Sequence, residues 1–146
     1  MIETIPAQNS LLEAALYYIR LDAHSAALRP EEETLAMSFA QIAADELQST
    51  AERKGVTIKQ WTVCSEAIHA LVYIDESRLE QNYKIGKPRA LTAFVAGVKA
   101  ATAKRINLVR NQPPGQPVWK RSYRQQRVES DRMLSQLVSK MTAAAQ

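Results

Sequence analysis

The side chains of this chain that could do chemistry divide into a sparse set of ligand-type groups and a dense run of cations. The ligand-type groups are Cys64, His24 and His69. Their spacing matches no zinc site, and a single cysteine excludes an internal disulfide framework. No pattern of positive charge flanks Cys64, so it reads as a small buried residue rather than a reactive one. His24 lies in a polar loop and is assigned nothing. The cations carry more information. Between Gln81 and Val128 stand Lys84, Lys87, Arg89, Lys99, Lys104, Arg105, Arg110, Lys120, Arg121, Arg124 and Arg127, with no Asp or Glu among them. Of the chain's 19 basic and 15 acidic residues, that leaves eight basic against all fifteen acidic ones elsewhere. Such segregation fits a polyanionic partner, most often nucleic acid, while the plainer reading is a solvated basic face meeting the acidic half. Trp119 and Tyr123, set among Lys120, Arg121 and Arg124, have rings that could stack on a base. Trp119 fits equally well as a core anchor for its strand.

These residues need elements to position them, and hydrophobic periodicity supplies a set. A chain of 146 residues with 46% apolar and 23% charged residues suits one globular domain. Leu16–Ile19 suits a buried strand, although periodicity alone leaves a helix open. Arg29-Pro30 followed by Glu31, Glu32 and Glu33 reads as a helix start, because proline and acids both suit the first turn. Its apolar face is Leu35, Phe39, Ile42, Ala43 and Leu47, and Arg53, Lys54 and Gly55 end it. Val56–Val63 and Ala67–Ile74 form a hairpin around Cys64-Ser65-Glu66, with Trp61 assigned to the core. A polar connector over 75–88 leads to a helix over 89–110, with Leu91, Phe94, Val95, Val98, Thr102, Ile106 and Val109 on one face. Pro113, Pro114, Gly115 and Pro117 make a turn-rich loop. Val118–Tyr123 reads as a short amphipathic strand, and 129–142 as a last helix with Met133, Leu134, Leu137, Val138 and Met141 on its apolar side. The alternation predicts a mixed α+β layer. The N-terminus lacks the pattern of a signal peptide and no apolar run approaches ~18 residues, so a cytoplasmic protein with no membrane contact is expected.

Two segments carry a family likeness. Leu91–Asn107, LTAFVAGVKAATAKRIN, followed by Pro114–Tyr123, PGQPVWKRSY, resembles the REP-associated tyrosine transposase branch of the single-tyrosine HUH transposases. In that family a phenylalanine-containing helix ends in a Lys/Arg-Arg-Ile-Asn element, and a Pro-Gly-x-Pro-Val-Trp-Gln-Arg-Asn-Tyr stretch follows. The element order fits from about residue 15 onward, leaving 1–14 as an N-terminal extension before a single 15–146 domain. The resemblance implies a ferredoxin-like antiparallel sheet with helices packed on it, a homodimer, and recognition of hairpins in single-stranded DNA. It also implies a chemistry. A tyrosine on the last helix attacks a phosphodiester, while a divalent metal held by a His-hydrophobic-His pair polarises the phosphate.

The chain departs from that chemistry residue by residue. Where the family strand reads Met-Pro-Asn-His-x-His, this sequence reads Cys64-Ser65-Glu66-Ala67-Ile68-His69. His69 keeps the second ligand position, and Ala67 puts a methyl group at the first. Counting from Tyr123 places the nucleophile's position at Lys140 and the third ligand, an Asn or Gln in the family, at Ala144. An exposed lysine amine is mostly protonated near neutral pH and is no substitute for a phenolate. Ala67, His69, Lys140 and Ala144 are thus expected to form a vestigial site with no catalytic residue, no metal and no cofactor. Glu66 reads as a solvated turn carboxylate, and Tyr123 as a packing or DNA-facing residue rather than a replacement nucleophile. Contact with nucleic acid is expected from Lys99, Lys104, Arg105, Arg110, Trp119, Lys120, Arg121, Tyr123, Arg124 and Arg127, with Arg20 and Arg53 standing apart in the acidic half. The expected function is a domesticated, catalytically inactive transposase-like protein that binds single-stranded or hairpin DNA, or RNA. The alternatives are a protein-interaction module on the same scaffold and a residual DNA-nicking enzyme.

Overall fold

The computed structural model describes residues 14–24, 33–64, 67–75, 89–109, 115 and 117–144. Along the chain run β1 (Ala14–Asp22), α1 (Glu33–Lys54), β2 (Thr57–Val63), β3 (Ala67–Asp75), α2 (Arg89–Val109), β4 (Arg124–Arg127) and α3 (Asp131–Ala144). The four strands form one sheet in the order β2-β3-β1-β4, antiparallel at every pairing. This is the ferredoxin-like α+β layer, with α1 and α2 on one face of the sheet and α3 on the other.

Leu16–Ile19 is a strand because both of its faces are buried. Successive side chains alternate across a sheet. Tyr17, Ile19 and Leu21 therefore join the core under α1 and α2, with Ile68, Ala70, Val72 and Ile74 beside them. Leu16 and Tyr18 point the other way and meet Leu71, Leu137 and Met141 beneath α3. The α2 face contains Leu91, Phe94, Val95, Val98, Thr102 and Ile106, all buried as their spacing predicts. Val109, the expected last member of that face, is 44% exposed where the helix ends. Gly97 lets α2 lie close to α1, since a Cβ there would fall 3.0 Å from Thr50 Cγ2.

Helix ends follow local chemistry. α1 closes in a Schellman motif: Val56 N–H donates to Ala51 O at 2.9 Å and Gly55 N–H to Glu52 O at 3.4 Å. Gly55 takes φ 69°, where a Cβ would be strained. The expected start of this helix at 29–32, and the side chains of Leu35 and Phe39, lie outside the described residues. α3 begins at Asp131 rather than 129 because Ser130 caps it, its hydroxyl accepting from Met133 N at 3.1 Å.

Two expectations need correction. Val118–Tyr123 is not a strand. Trp119 makes only an isolated bridge to Ala23, Ser122 turns the chain with φ 63°, and the strand is Arg124–Arg127. Trp61 is not core: it lies on edge strand β2 and is 37% exposed, while Trp119 is 9% exposed. Residues 1–13 and 76–88, including the expected extension and most of the connector, lie outside the described residues. Among the described residues no helix is long and apolar enough to cross a membrane.

Candidate functional site

On β3, Ala67 and His69 are two residues apart and so share a face of the sheet, the one that α3 covers in part. Strand pairing assembles the rest. β1 sets Asp22 opposite Ala67, Arg20 opposite His69 and Tyr18 opposite Leu71, while β4 sets Arg124 opposite Arg20 from the other side. α3 then brings Lys140 over the Tyr18 ring, with its Nζ 5.8 Å from the centroid. The structure thus gathers Ala67, His69 and Lys140 on one side of the molecule, with Ala144 one helical turn further along α3.

His69 is 2% exposed, and its Nδ1 lies 2.6 Å from the Tyr18 hydroxyl. Burial pushes its pKa down from 6.5 to about 4, and the charges of Arg20 and Lys140 push the same way against Asp22. The imidazole is therefore neutral at physiological pH. Burial likewise raises the Tyr18 phenol above its ordinary value. Cys64 is half-buried, donates from Sγ to Ala67 O at 3.4 Å and lies 3.9 Å from His69 Nε2. Asp22 accepts from Arg20 Nε at 2.7 Å and lies 3.9 Å from Arg124 Nε.

The donor set does not fit a divalent metal. Ala67 and Ala144 offer only methyl groups, and His69 is a single ligand with one nitrogen engaged by Tyr18. Among the described residues no group of three or more His, Cys, Asp or Glu side chains could hold a metal ion. Glu66 lies outside the described residues.

The expected basic strip is partly consumed by the fold. Lys99 donates its ammonium to Lys120 O at 2.9 Å and also to Ser122 O, fastening the 120–122 segment to α2. Arg105 bonds Glu46 at 2.9 Å and lies 3.8 Å from Asp45. Trp119 donates from Nε1 to Thr102 Oγ1 at 2.7 Å and is nearly enclosed, so it anchors the core rather than offering a base platform. Tyr123 is half-buried, with its hydroxyl 3.2 Å from Thr92 Oγ1, and burial raises its pKa. Lys104, Lys120 and Arg121 are exposed. Arg124 is exposed at the edge strand, and Arg127 is 3.8 Å from Glu129. Arg110 lies outside the described residues. An apolar groove of about 630 Å³ opens between α2 and residues Gly115 and Pro117 to Trp119, lined in part by Ala100, Ala103, Leu108 and Val118.

Solved structures share this architecture. A REP-associated tyrosine transposase bound to a REP hairpin matches with a TM-score of 0.58, over 87% of this chain and 64% of that one, at 10% identity. The chain has a transposase-like fold. A crystal structure of a candidate transposase from Deinococcus radiodurans R1 matches over 99% of this chain and 98% of its own, with a TM-score of 0.56 and 17% identity. No protein-family model and no curated protein sequence matches the chain. The transposase-like likeness read from Leu91–Asn107 and Pro114–Tyr123 is met at the level of fold, and the present chain spans only 64% of the hairpin-bound transposase.

Sequence reasoning missed Tyr18, Arg20, Asp22 and the placement of Arg124. Arg20, expected to stand apart in the acidic half, is the direct cross-strand partner of both His69 and Arg124. No spacing in the sequence signals this, because it arises from pairing between strands far apart along the chain.

Proposed function

We propose that this protein is a domesticated transposase-like nucleic-acid-binding protein that no longer cleaves strands, acting in the cytoplasm as a homodimer. The observation that carries the reading is Ala67 and His69 on one face of β3, with the cationic Lys140 over the neighbouring Tyr18 ring, on a scaffold whose core is otherwise intact. Strand transfer by the family's route needs a nucleophile and a metal, and these positions hold an ammonium and methyl groups. Tyr123 is a poor replacement, since burial keeps its phenol protonated. The likeness to a transposase bound to a hairpin supports single-stranded or hairpin nucleic acid as the partner class. The exposed cations Lys104, Lys120, Arg121 and Arg124 supply the charge for it.

Incubation with hairpin-bearing single-stranded DNA and magnesium or manganese is expected to give a bound complex on a native gel. No covalent adduct is expected on a denaturing one. An adduct would overturn the inactive reading, with Tyr123→Phe and Tyr18→Phe locating its source. Light scattering at tens of micromolar is expected to give twice the 16.3 kDa of one chain; a clean monomer would remove the dimer. The protein-interaction alternative is favoured by the apolar groove beside α2, where Leu108 is 72% exposed. It becomes the better account if the wild-type protein binds neither hairpin DNA nor RNA at ~50 mM salt.

A further inference from the structure

We propose that Arg20, Arg124 and Lys140 form a seat for a phosphate group on the α3 side of the sheet, one that works without a metal ion. This deepens the nucleic-acid reading above and rests on it. The seat lies across the sheet from α2, so it is a contact separate from the cations on that helix.

The argument begins with a cost. Arg20 and Arg124 are directly opposed across β1 and β4, and like charges so placed destabilise a sheet. Asp22 offsets part of this: it accepts from Arg20 Nε at 2.7 Å and stands 3.9 Å from Arg124 Nε. One carboxylate cannot neutralise two guanidinium groups, and α3 adds a third cation instead of an acid. Lys140 sits over Tyr18, one step along β1 on the same face from Arg20. The shared neighbourhood is visible at His69, whose proton affinity is lowered by both Arg20 and Lys140. Among the described residues the cluster therefore carries three positive charges, Arg20, Arg124 and Lys140, against the one negative charge of Asp22, and the neutral imidazole adds none.

An anion completes that balance, and the donors suit a phosphate. The bond to Asp22 uses one of the five N–H donors of the Arg20 guanidinium, and guanidinium forks match phosphate oxygens in pairs. Arg124 has a side chain 72% exposed, and Lys140 is exposed on α3, so both are accessible to a ligand. Lys140 supplies a point charge from above. Together they replace with fixed cations the charge stabilisation that a metal would otherwise give. The shared ligand chemistry is a phosphate ester of a nucleic-acid strand, either an internal diester or a terminal monoester.

The test uses the full chain in EDTA at ~50 mM salt, titrated into a labelled DNA hairpin with a single-stranded tail that carries either a 5′-hydroxyl or a 5′-phosphate. Arg124→Gln and Lys140→Gln are combined, both positions being exposed, and Arg53→Gln serves as the control. The double variant is expected to bind at least about tenfold more weakly, consistent with loss of charge-assisted hydrogen bonds. The His69 ring signals in NMR are expected to shift when the wild-type protein binds and to stay still in the double variant. A preference for the 5′-phosphate that the double variant abolishes identifies the terminal monoester; equal loss on both strands identifies an internal diester. The proposal is overturned if binding requires added magnesium. It is equally overturned if the double variant binds within twofold of wild type while Lys104→Gln with Arg121→Gln abolishes binding, a result that leaves the nucleic-acid reading standing. Absence of all binding by the wild-type protein would instead remove that reading itself.

Discussion

His69 is buried on β3 with its Nδ1 against the Tyr18 hydroxyl of β1, and its basicity follows from that position. Burial first, then Arg20 and Lys140, lower its pKa from 6.5 to about 4. Between those values the unfolded chain binds a proton that the folded chain refuses. The contribution of neutral His69 to stability is thus complete above pH 6.5 and declines as the pH falls toward 4. Urea midpoints measured from pH 7 to pH 4 are expected to drop across this window, and His69→Gln is expected to flatten that part of the slope. An unchanged slope in the variant would assign the acid sensitivity to carboxylates instead. The sequence marked His69 and Lys140 as related positions only through the family pattern. Their shared environment depends on the pairing of β1 with β3 and on where α3 lies.

At the scale of elements, the instructive segment is 117–123. Its alternating polarity reads as a strand, yet side chains from α2 hold it: Trp119 through Thr102, and the carbonyls of Lys120 and Ser122 through Lys99. The turn at Ser122 then sets β4 against β1, where Val128 N–H closes the pairing on Leu16 O at 2.8 Å. Lys99→Met keeps most of the stem and removes the donor. It is expected to cost about 1–2 kcal/mol, at the low end for a charged donor because the site is solvent-facing. Amide exchange should accelerate at 120–124 before it does in β1 or β3, and uniform exchange across the sheet would show that Lys99 does not fasten this segment. The helices were more legible. The buried face of α2 was readable in the 3.6-residue spacing of Leu91, Phe94, Val95, Val98, Thr102 and Ile106, and the end of α1 in Gly55. The two tryptophans were not legible: the exposure of Trp61 depends on β2 lying at the edge of the sheet, and the burial of Trp119 on the packing of an irregular segment against α2.

For the whole molecule, the basic excess is better described as two surfaces than as one strip. Arg105 is offset by Glu46, and Lys99 is spent on carbonyls, so the exposed cations of α2 are Arg89 and Lys104, with Lys120 and Arg121 on the segment that α2 holds. Affinity for single-stranded DNA should fall by about 0.7 logarithmic units per decade of salt for each phosphate contact. Neutralising Lys104, Lys120 and Arg121 together is expected to weaken binding and flatten that dependence, whereas Arg53→Gln changes neither. A triple variant with the wild-type salt slope would place the contact elsewhere. By itself the sequence determined the helices, the hairpin, the α+β class and the long run without acids, because each rests on local periodicity or composition. The tertiary structure decided what the charges do. Arg20 meets Arg124 only because β1 lies between β3 and β4, and Trp119 is core only because α2 offers Thr102 to its indole nitrogen. These outcomes come from pairing register and tertiary packing, where residues from 17 to about 100 positions apart become neighbours. No local spacing encodes such neighbours, since they depend on which strand edges and helix faces meet when the apolar surfaces are buried.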